Sequence, residues 1–598
     1  MLGSGALSLG PAVLWPGRQA PGGRGMSKVD PSTDARSAQV ASAAQRIFRA
    51  FERYNENFQR ITQRAQGHFE RRDLRASRKD LVERIELYDK LVARVVGQLE
   101  AEVDPADLRD RAFFFAIKRC FGERVEDFPD GIFAKTFYNS VTRRIFSTEG
   151  FDYDLEFMTR DIEDRRERAH WLHTQSFLNW GDLEQLMQSV LEAFRFNVPY
   201  LSTQKMARRI EAGIRASAEA HAPEKPEVLR VEFIQTRFFQ SERCYIVGRM
   251  FGDGWALPLI LALKNGPKGI DLESTITDED EVSMIFGFTR SYIFVDLQPV
   301  ESVVSFLSTL LPNKPVDELY TVLGRLRQGK TERYRLFSRH LKQAEDQFEH
   351  AAGDAGLVML VFTLPSYELV FKLIRDEFGY PKNVDRGQVM EKYNLVFRHD
   401  RAGRLIDTQE FKHLIFPRKN FSEALLEDLL GATSQIVHVR GDEIVIDHLY
   451  IERRIRPLNL YVREVERPMA EAAIIDYGNA IRDLAMTNIF PGDLLIKNFG
   501  VTRHGRVIFY DYDELCLVTE CNFRELPEGD DDDDLRGNDE WFYVGEDDVF
   551  PEQFVRFLAM DIGLKRVFME HHKDLLDAAW WRAIKAFHLG EGKPPPLT

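Results

Sequence analysis

The sequence predicts an α+β protein in two units: a mostly helical first half carrying a small mixed sheet, and a second half that alternates strands and helices. Three observations predict it. Apolar residues recur at spacings of three and four over two long stretches before residue 100, the mark of helices that bury one face. Near residue 226 the period shortens to that of strands. From residue 351 a second mixed pattern begins and runs to about residue 590.

The elements follow in order. Residues 1–34 open with "MLGSGALSLGPAVLWPGRQAPGGRG", rich in Gly and Pro and without an acid. Gly10-Pro11 interrupts the apolar core that a signal peptide needs, so the segment reads as a disordered extension, with Met26 as an alternative start. Ile47, Phe51, Tyr54, Phe58, Ile61 and Ala65 form the first helical stripe. After the polar break "ERRDLRASRKD", Leu81, Ile85, Tyr88, Val92, Val95 and Leu99 form the second. Each stripe lasts only about three heptads, which predicts a packed hairpin rather than a long coiled coil. Helical spacing continues to about 220, broken at "DFPDG". "VLRVEFIQTRFF", "CYIVGRMF" and "WALPLILAL" read as strands, the last two joined through Gly252-Asp253-Gly254, a hairpin signal. "SYIFVDL" (291–297) reads as another strand, and helices return from about 300 to 350, with Pro315 placed for a helix start.

Bulk properties narrow the function. A formal charge of −15 argues against a nucleic-acid partner, since neutralising many phosphates needs a basic surface. No apolar run approaches the ~20 residues that span a bilayer, so no membrane partner is expected. The four cysteines, Cys120, Cys244, Cys516 and Cys521, show no zinc or CxxC spacing. They are expected to be reduced thiols in a cytoplasmic protein.

The second half carries the chemistry. In "AAGDAGLVMLVFTLPSYELVFKLIRD" (351–376), Gly353 and Gly356 lie in a loop of small residues ahead of an apolar strand, 357–364. Such a loop lets backbone N–H groups approach phosphate, although an ordinary hairpin turn has the same spacing. After a turn at Pro365, Lys372 stands inside a second apolar strand, where a lysine is costly unless paired. That favours phosphate binding. "EIVIDHLYIERR" (443–454) reads as a strand entering a polar segment at Glu452, and "RPLNLYV" opens a helix. The junction is either a hinge facing an adenine edge or a plain connector.

"NIFPGDLLIKNFGVTRHGRVIFYDYDE" (488–514) sets Asp493 five positions before Asn498, then ends a strand in Asp511 and Asp513. Turns alone favour these residues; a site for metal ions and phosphate is the sharper reading. Glycine loop, strand lysine, hinge, Asp-x4-Asn and a strand followed by Asp occur in the order found in protein kinases. A bilobal protein-kinase-like domain is therefore predicted. "FPGD" replaces HRD, "DYDE" replaces DFG and no APE follows, which excludes an ordinary eukaryotic-type protein kinase. "GDLLIKN" also resembles the catalytic loop of aminoglycoside- and choline-type phosphotransferases. "DDDDD" (530–534) reads as a solvated loop.

These stretches, together with "HLYIERRIRPLNLYV", "DTQEF" and "ALKNGPKGIDLESTIT", resemble the isocitrate dehydrogenase kinase/phosphatase family over about residues 35–590. The resemblance implies a regulatory domain at 35–345 with strands at about 226–297, a kinase-like catalytic domain at 346–590 and a tail at 591–598. It implies a bifunctional bacterial enzyme that phosphorylates and dephosphorylates an active-site serine of isocitrate dehydrogenase, switching carbon between the citric acid cycle and the glyoxylate bypass. ATP (ADP in the reverse or phosphatase reaction), Mg²⁺ or Mn²⁺, and AMP as allosteric effector come with it. Carried over, Ala351, Ala352, Gly353, Asp354, Ala355, Gly356 and Leu357 form the ATP loop and Lys372 binds the nucleotide. Asp493 is the kinase base, and Asn498 and Asp511 hold metal. Asp407 in "DTQEF" matches an acid of the family's active site, although its own residues read as a helix N-cap.

An acid at Asp354 repels phosphate unless it points outward. Glu391 and Glu410 are the candidate partners for Lys372. No Cys-x5-Arg loop and no His/Asp cluster spaced for two metals occurs in the sequence, so both activities are expected from one pocket. The alternatives are a small-metabolite phosphotransferase and a catalytically dead kinase-like binding module.

Overall fold

The computed structural model describes residues 31–592 except 149, 153, 158–171, 288–292, 297–298, 381–383, 400–402, 527–543 and 546. The expectations for residues 1–25, for "DDDDD" and for most of the tail lie outside the described residues.

Helices α1 (Pro31–Arg71) and α2 (Leu74–Glu102) form the expected hairpin. Asp73 caps α2 by accepting from the Ala76 amide at 2.9 Å. After the single turn α3 (Pro105–Leu108), α4 (Arg111–Val125) and α5 (Gly131–Phe146) close on the same stripes. Phe51, Val95, Phe114 and Phe137 are fully buried there. Each such side chain contributes about 1.5–3 kcal/mol, so burial rather than helix propensity holds the bundle.

A six-stranded sheet follows. Its strands are β1 (Thr174–Leu178), β2 (Arg230–Ile234), β3 (Phe238–Gln240), β4 (Arg243–Phe251), β5 (Ala256–Gly266) and β6 (Gly269–Ile276). They run in the order β1-β2-β4-β5-β6, with β3 on β4. Every ladder is antiparallel, so the sheet expected to be mixed consists of hairpins and returning neighbours. Alternation along β4 sorts its side chains between two layers. Cys244, Ile246 and Met250 face α6 (Leu183–Ala193) and α7 (Thr203–His221). Tyr245 and Val247 face α8 (Glu279–Ile285), α9 (Val300–Leu310) and α10 (Val316–Val322).

The β4–β5 hairpin turns where Gly252-Asp253-Gly254 predicts. Three expectations need correction. β1 lies inside the stretch read as helical and is too short to show a period of its own. β6 follows β5 through a tight turn at Gly266–Gly269 and was not anticipated. Among its described residues, "SYIFVDL" reduces to one bridge between Phe294 and Phe239.

Helix α11 (Leu326–Gln343) leads into the second half. There β7 (Glu349–His350), β8 (Met359–Thr363), β9 (Leu369–Ile374), β10 (Gln409–Pro417), β11 (Val437–Arg440) and β12 (Glu443–Arg453) make a second sheet. The order is β10-β12-β9-β8-β7, with β11 on β12, and all pairs are antiparallel. One face, with Phe362, Phe371 and Phe416, packs on Phe337 of α11 and on α13 (Glu423–Ala432). The other, with Val361, Ile374 and Tyr450, meets α12 (Arg386–His399) and a larger helical lobe.

That lobe runs through β13 (Arg456–Pro457), α14 (Leu458–Glu464), α15 (Arg467–Ala485), β14 (Ile489–Phe490), β15 (Phe499–Val501), β16 (Val507–Phe509) and β17 (Cys516–Leu517). It ends in the paired strands β18 (Asn522–Phe523) and β19 (Asp548–Val549), then α16 (Phe554–Phe557), α17 (Ile562–His572) and α18 (Ala578–Leu589). A small sheet lobe over a helical lobe is the two-lobed unit that the motif order predicts.

Candidate active site

The site begins with a lysine in a strand. Lys372 stands between Phe371 and Leu373 on β9, opposite Val361 on β8 and Tyr450 on β12. Residues directly opposite share a face, so Lys372 points to the cleft while its neighbours fill the core behind. Only 5% of it is exposed, which makes a counterion obligatory. Glu452 supplies it at 2.7 Å, and the Tyr510 carbonyl accepts a second bond at 2.7 Å.

Neither expected partner does so. Glu391 lies exposed on α12. Glu410 is held by His448 at 3.0 Å and Lys412 at 3.1 Å; burial alone would raise its carboxyl, and these two partners bring it down to about 2. Glu452 wins because it lies two residues beyond Tyr450, on the same face as Lys372. The available signal was an acid in an otherwise apolar strand ending, "HLYIERR".

Loop and hinge bracket the cleft. Residues 352–357 are exposed, and Gly353 takes φ +124. A Cβ built on Gly353 meets only Pro457 Cγ, at 3.7 Å, so the loop lies over the hinge with its backbone open. Asp354 is exposed. Burial, with the charges of Asp511, Glu452 and Asp354, pushes the Tyr510 phenol up. The charges of those three carboxylates thus act on one phenol.

The opposite wall is the 488–517 segment. Asp493 Oδ1 accepts from the Leu495 amide at 2.9 Å. Asn498 is buried, and its Nδ2 donates to the Asp493 carbonyl at 3.4 Å. The Asn498 carbonyl accepts from the Tyr510 amide at 3.1 Å, which places Asn498 beside Asp511. β14 pairs with β17, and Gly492, at φ +79, leaves a Cβ only 2.5 Å from the Glu514 carbonyl. A side chain there would part the two loops. The structure thus brings Lys372, Asp493, Asn498 and Asp511 to one cleft.

Asp407 arrives differently. Arg404 clamps its segment to α15, reaching Asp483 at 2.7 Å and Asp476 at 2.7 and 2.8 Å. Leu405 bridges to Phe509, and the Tyr512 hydroxyl donates to the Ile406 carbonyl at 2.9 Å. Asp407 precedes β10, so the N-cap reading is overturned: a strand follows it. Thr408 donates to Glu452 at 2.6 Å. The Asp407 carboxylate is buried on Arg333, at 3.1 Å, and Arg333 also holds Asp317 at 2.8 Å. Thr408 and Arg333 were not singled out from the sequence: Thr408 stands beside the acid in "DTQEF", and Arg333 lies in a helix without a motif of its own.

The donors fit the groups that this fold implies. Asn498 and Asp511 offer hard oxygens, and Mg²⁺ bound by one or two protein ligands takes the rest from phosphate and water. The cleft is that of an ATP-dependent phosphotransferase of protein-kinase type.

Comparison with known proteins is more specific. A family model described as the isocitrate dehydrogenase kinase/phosphatase (AceK) kinase domain matches residues 346–594, and the regulatory-domain model of the same name matches 44–345. The isocitrate dehydrogenase kinase/phosphatase of Anaeromyxobacter sp. (strain Fw109-5) is 44% identical over 546 residues, covering 91% of this chain and 94% of its own. That of Xanthomonas euvesicatoria pv. vesicatoria (strain 85-10) is 44% identical over 559 residues, with 93% and 95% covered. The chain belongs to the isocitrate dehydrogenase kinase/phosphatase family.

Proposed function

We propose that the chain transfers phosphate from ATP to a serine of isocitrate dehydrogenase and removes it again from the same cleft, setting carbon flow between the citric acid cycle and the glyoxylate bypass in the cytoplasm. The observation that carries this is the double anchoring of Lys372. Its ammonium joins Glu452 to the Tyr510 carbonyl, and Asp511 is the next residue. The phosphate-binding lysine and the metal-binding acid are thereby set in one step of chain.

Each residue then has a role. The loop 351–357 covers the phosphates with backbone N–H groups, and Lys372 holds them, oriented by Glu452. Asn498 and Asp511 would hold Mg²⁺ or Mn²⁺, which would supply charge neutralisation at the transferring group. Asp493, its rotamer set by the Leu495 amide, takes the serine proton. Asp407 orients water for the hydrolytic direction. AMP is the proposed effector.

The test is incubation with labelled ATP, Mg²⁺ and purified isocitrate dehydrogenase. Label in that protein, released again under phosphatase conditions, is expected. Label confined to small molecules would instead make the chain a metabolite kinase, and binding without transfer a dead module.

A further inference from the structure

Two cysteines sit behind the catalytic loops with no role in the chemistry above. Cys516 lies in β17 and Cys521 just past the turn that follows it, and their sulfurs stand 3.5 Å apart. A disulfide bond is about 2.05 Å long, so the sulfurs need approach by only about 1.5 Å. The turn is tight: the Glu520 amide donates to Leu517 O at 2.9 Å and the Cys521 amide to Val518 O at 3.3 Å. The other cysteines stand apart, Cys244 fully buried on β4 and Cys120 half-buried on α4.

We propose that Cys516 and Cys521 form a peroxide-reactive thiol pair whose reversible disulfide lowers both activities by displacing the loops that carry Asp493 and Asp511.

The asymmetry of the pair sets the order of events. Cys516 is half-buried and Cys521 is 3% exposed, so an oxidant reaches Cys516 first. The hydrogen bond from Cys521 holds the Cys516 thiol below its usual range against the effect of burial, and the Lys392 ammonium helps. The thiolate is the reactive form. Its sulfur attacks a peroxide oxygen: an S–O bond forms, the O–O bond breaks, and hydroxide leaves and takes a proton, giving a sulfenic acid and water. Cys521 then attacks that sulfur. The S–S bond forms, the S–O bond breaks, and a second water leaves. Two thiols and one hydrogen peroxide become one disulfide and two waters. A dithiol reductant reverses it by exchange.

The position makes the pair consequential. Cys516 is paired with Phe490 of β14, three residues before Asp493. The turn is tied to the same loop, since Val518 N donates to Asn488 O at 3.2 Å and Thr519 N to Asn488 Oδ1 at 3.1 Å. Cys516 also follows Asp511 by five residues. Drawing its sulfur inward therefore pulls on both loops. Misplacement of reacting groups by about 1 Å costs up to about 10²-fold in rate.

The loss of activity rests on the proposed kinase and phosphatase reading; the bond itself does not. The experiment uses the full chain, reduced, freed of reductant and treated with a small excess of hydrogen peroxide. Peptide mass spectrometry after alkylation is expected to find 516 and 521 unalkylated and joined, with Cys120 and Cys244 alkylated. Kinase and phosphatase rates should fall between about tenfold and 10²-fold, and dithiothreitol should restore them. Cys516→Ser should keep full activity under peroxide, whereas Cys521→Ser should accumulate sulfenic acid trappable by dimedone. Alkylatable Cys516 and Cys521 after oxidation would overturn the proposal. So would a disulfide that leaves both rates unchanged, or Cys516→Ser losing activity as wild type does. A reduced enzyme inactive from the start would sink the functional reading instead, while the alkylation pattern would still decide the thiol pair.

Discussion

Arg333 and Asp407 join the two halves of the chain through a buried ion pair, Nη2 to Oδ2 at 3.1 Å. Arg333 also binds Asp317 through Nε at 2.8 Å. Nearby, Glu318 pairs with Lys314 at 3.1 Å and with Arg453, the residue after Glu452. His504 and Arg503, at the tip of the β15–β16 hairpin between Asn498 and Asp511, meet Asp280 at 2.9 Å and the Asn313 carbonyl at 3.0 Å. The regulatory half thus touches the segments that carry Asp407 and Glu452 and the hairpin between Asn498 and Asp511.

Removing the arginine should be severe. Arg333→Met leaves two carboxylates buried without their cation, and breaking a buried pair typically costs about 3–5 kcal/mol. Urea unfolding of the variant should show a loss of that order. Adding Asp407→Asn to Arg333→Met should recover part of it, because one buried charge is gone. Additive losses in the double variant would show that the two residues are not coupled.

Glu452→Gln and Lys372→Met should act on one step. Lys372→Met removes the ammonium proposed to hold phosphate and Glu452→Gln removes the carboxylate that fixes it, so each is expected to lower kinase kcat/KM strongly, with the double variant no worse than the lysine change alone. Isothermal titration with ATP checks the cause: affinity should fall in each single variant. Normal affinity with normal transfer in Lys372→Met would remove the lysine from the nucleotide site.

Much of the catalytic half was legible because its chemistry is local. Asp493, Asn498 and Asp511 lie within one stretch, and a lysine in an apolar strand announces a missing partner. The partner itself was not legible. Choosing Glu452 over Glu391 and Glu410 needs the β9–β12 register, which depends on pairing far apart in the chain. Asp407 looked like a helix cap because Asp-Thr precedes helices and strands alike. Arg333 was hidden for the same reason as Glu452: its importance lies in a contact 74 residues away. β1 was lost because five residues are too few to establish a period, and β6 because a register shift in its ladder with β5 breaks the alternation of its buried positions.

The helical lobe should be acid-sensitive at His572. Burial, with the Arg482 guanidinium close by, pushes its imidazole down to about 4, and Nε2–H donates to the Ile475 carbonyl at 2.8 Å. The unfolded chain therefore binds this proton better, near the ordinary 6.5. Stability from this group is full above about 6.5 and falls as pH drops toward 4. His572→Gln should flatten that part of a melting-temperature profile. Gly478 lies against the same ring with no room for a Cβ, so Gly478→Ala should cost about 1–3 kcal/mol by overpacking.

The last prediction separates one pocket from two. Lys372, Asp493, Asn498 and Asp511 converge on one cleft, and under the proposed roles a metal that Asn498 and Asp511 would hold there would serve transfer in either direction. Asp511→Ala should therefore abolish kinase and phosphatase together. Asp493→Ala should cost the kinase about 10²–10⁴ in rate, the usual worth of a positioned proton acceptor. Asp407→Ala should differ, because the Arg333 guanidinium holds its carboxylate. Its proposed duty is toward water, so the phosphatase should suffer more than the kinase. Rates measured on serine-phosphorylated and unmodified isocitrate dehydrogenase, with each variant's folding checked by melting, decide the matter. Full dephosphorylation by Asp511→Ala would require a second site elsewhere in the chain, and equal losses of both activities in Asp407→Ala would take the water-orienting role away from that residue.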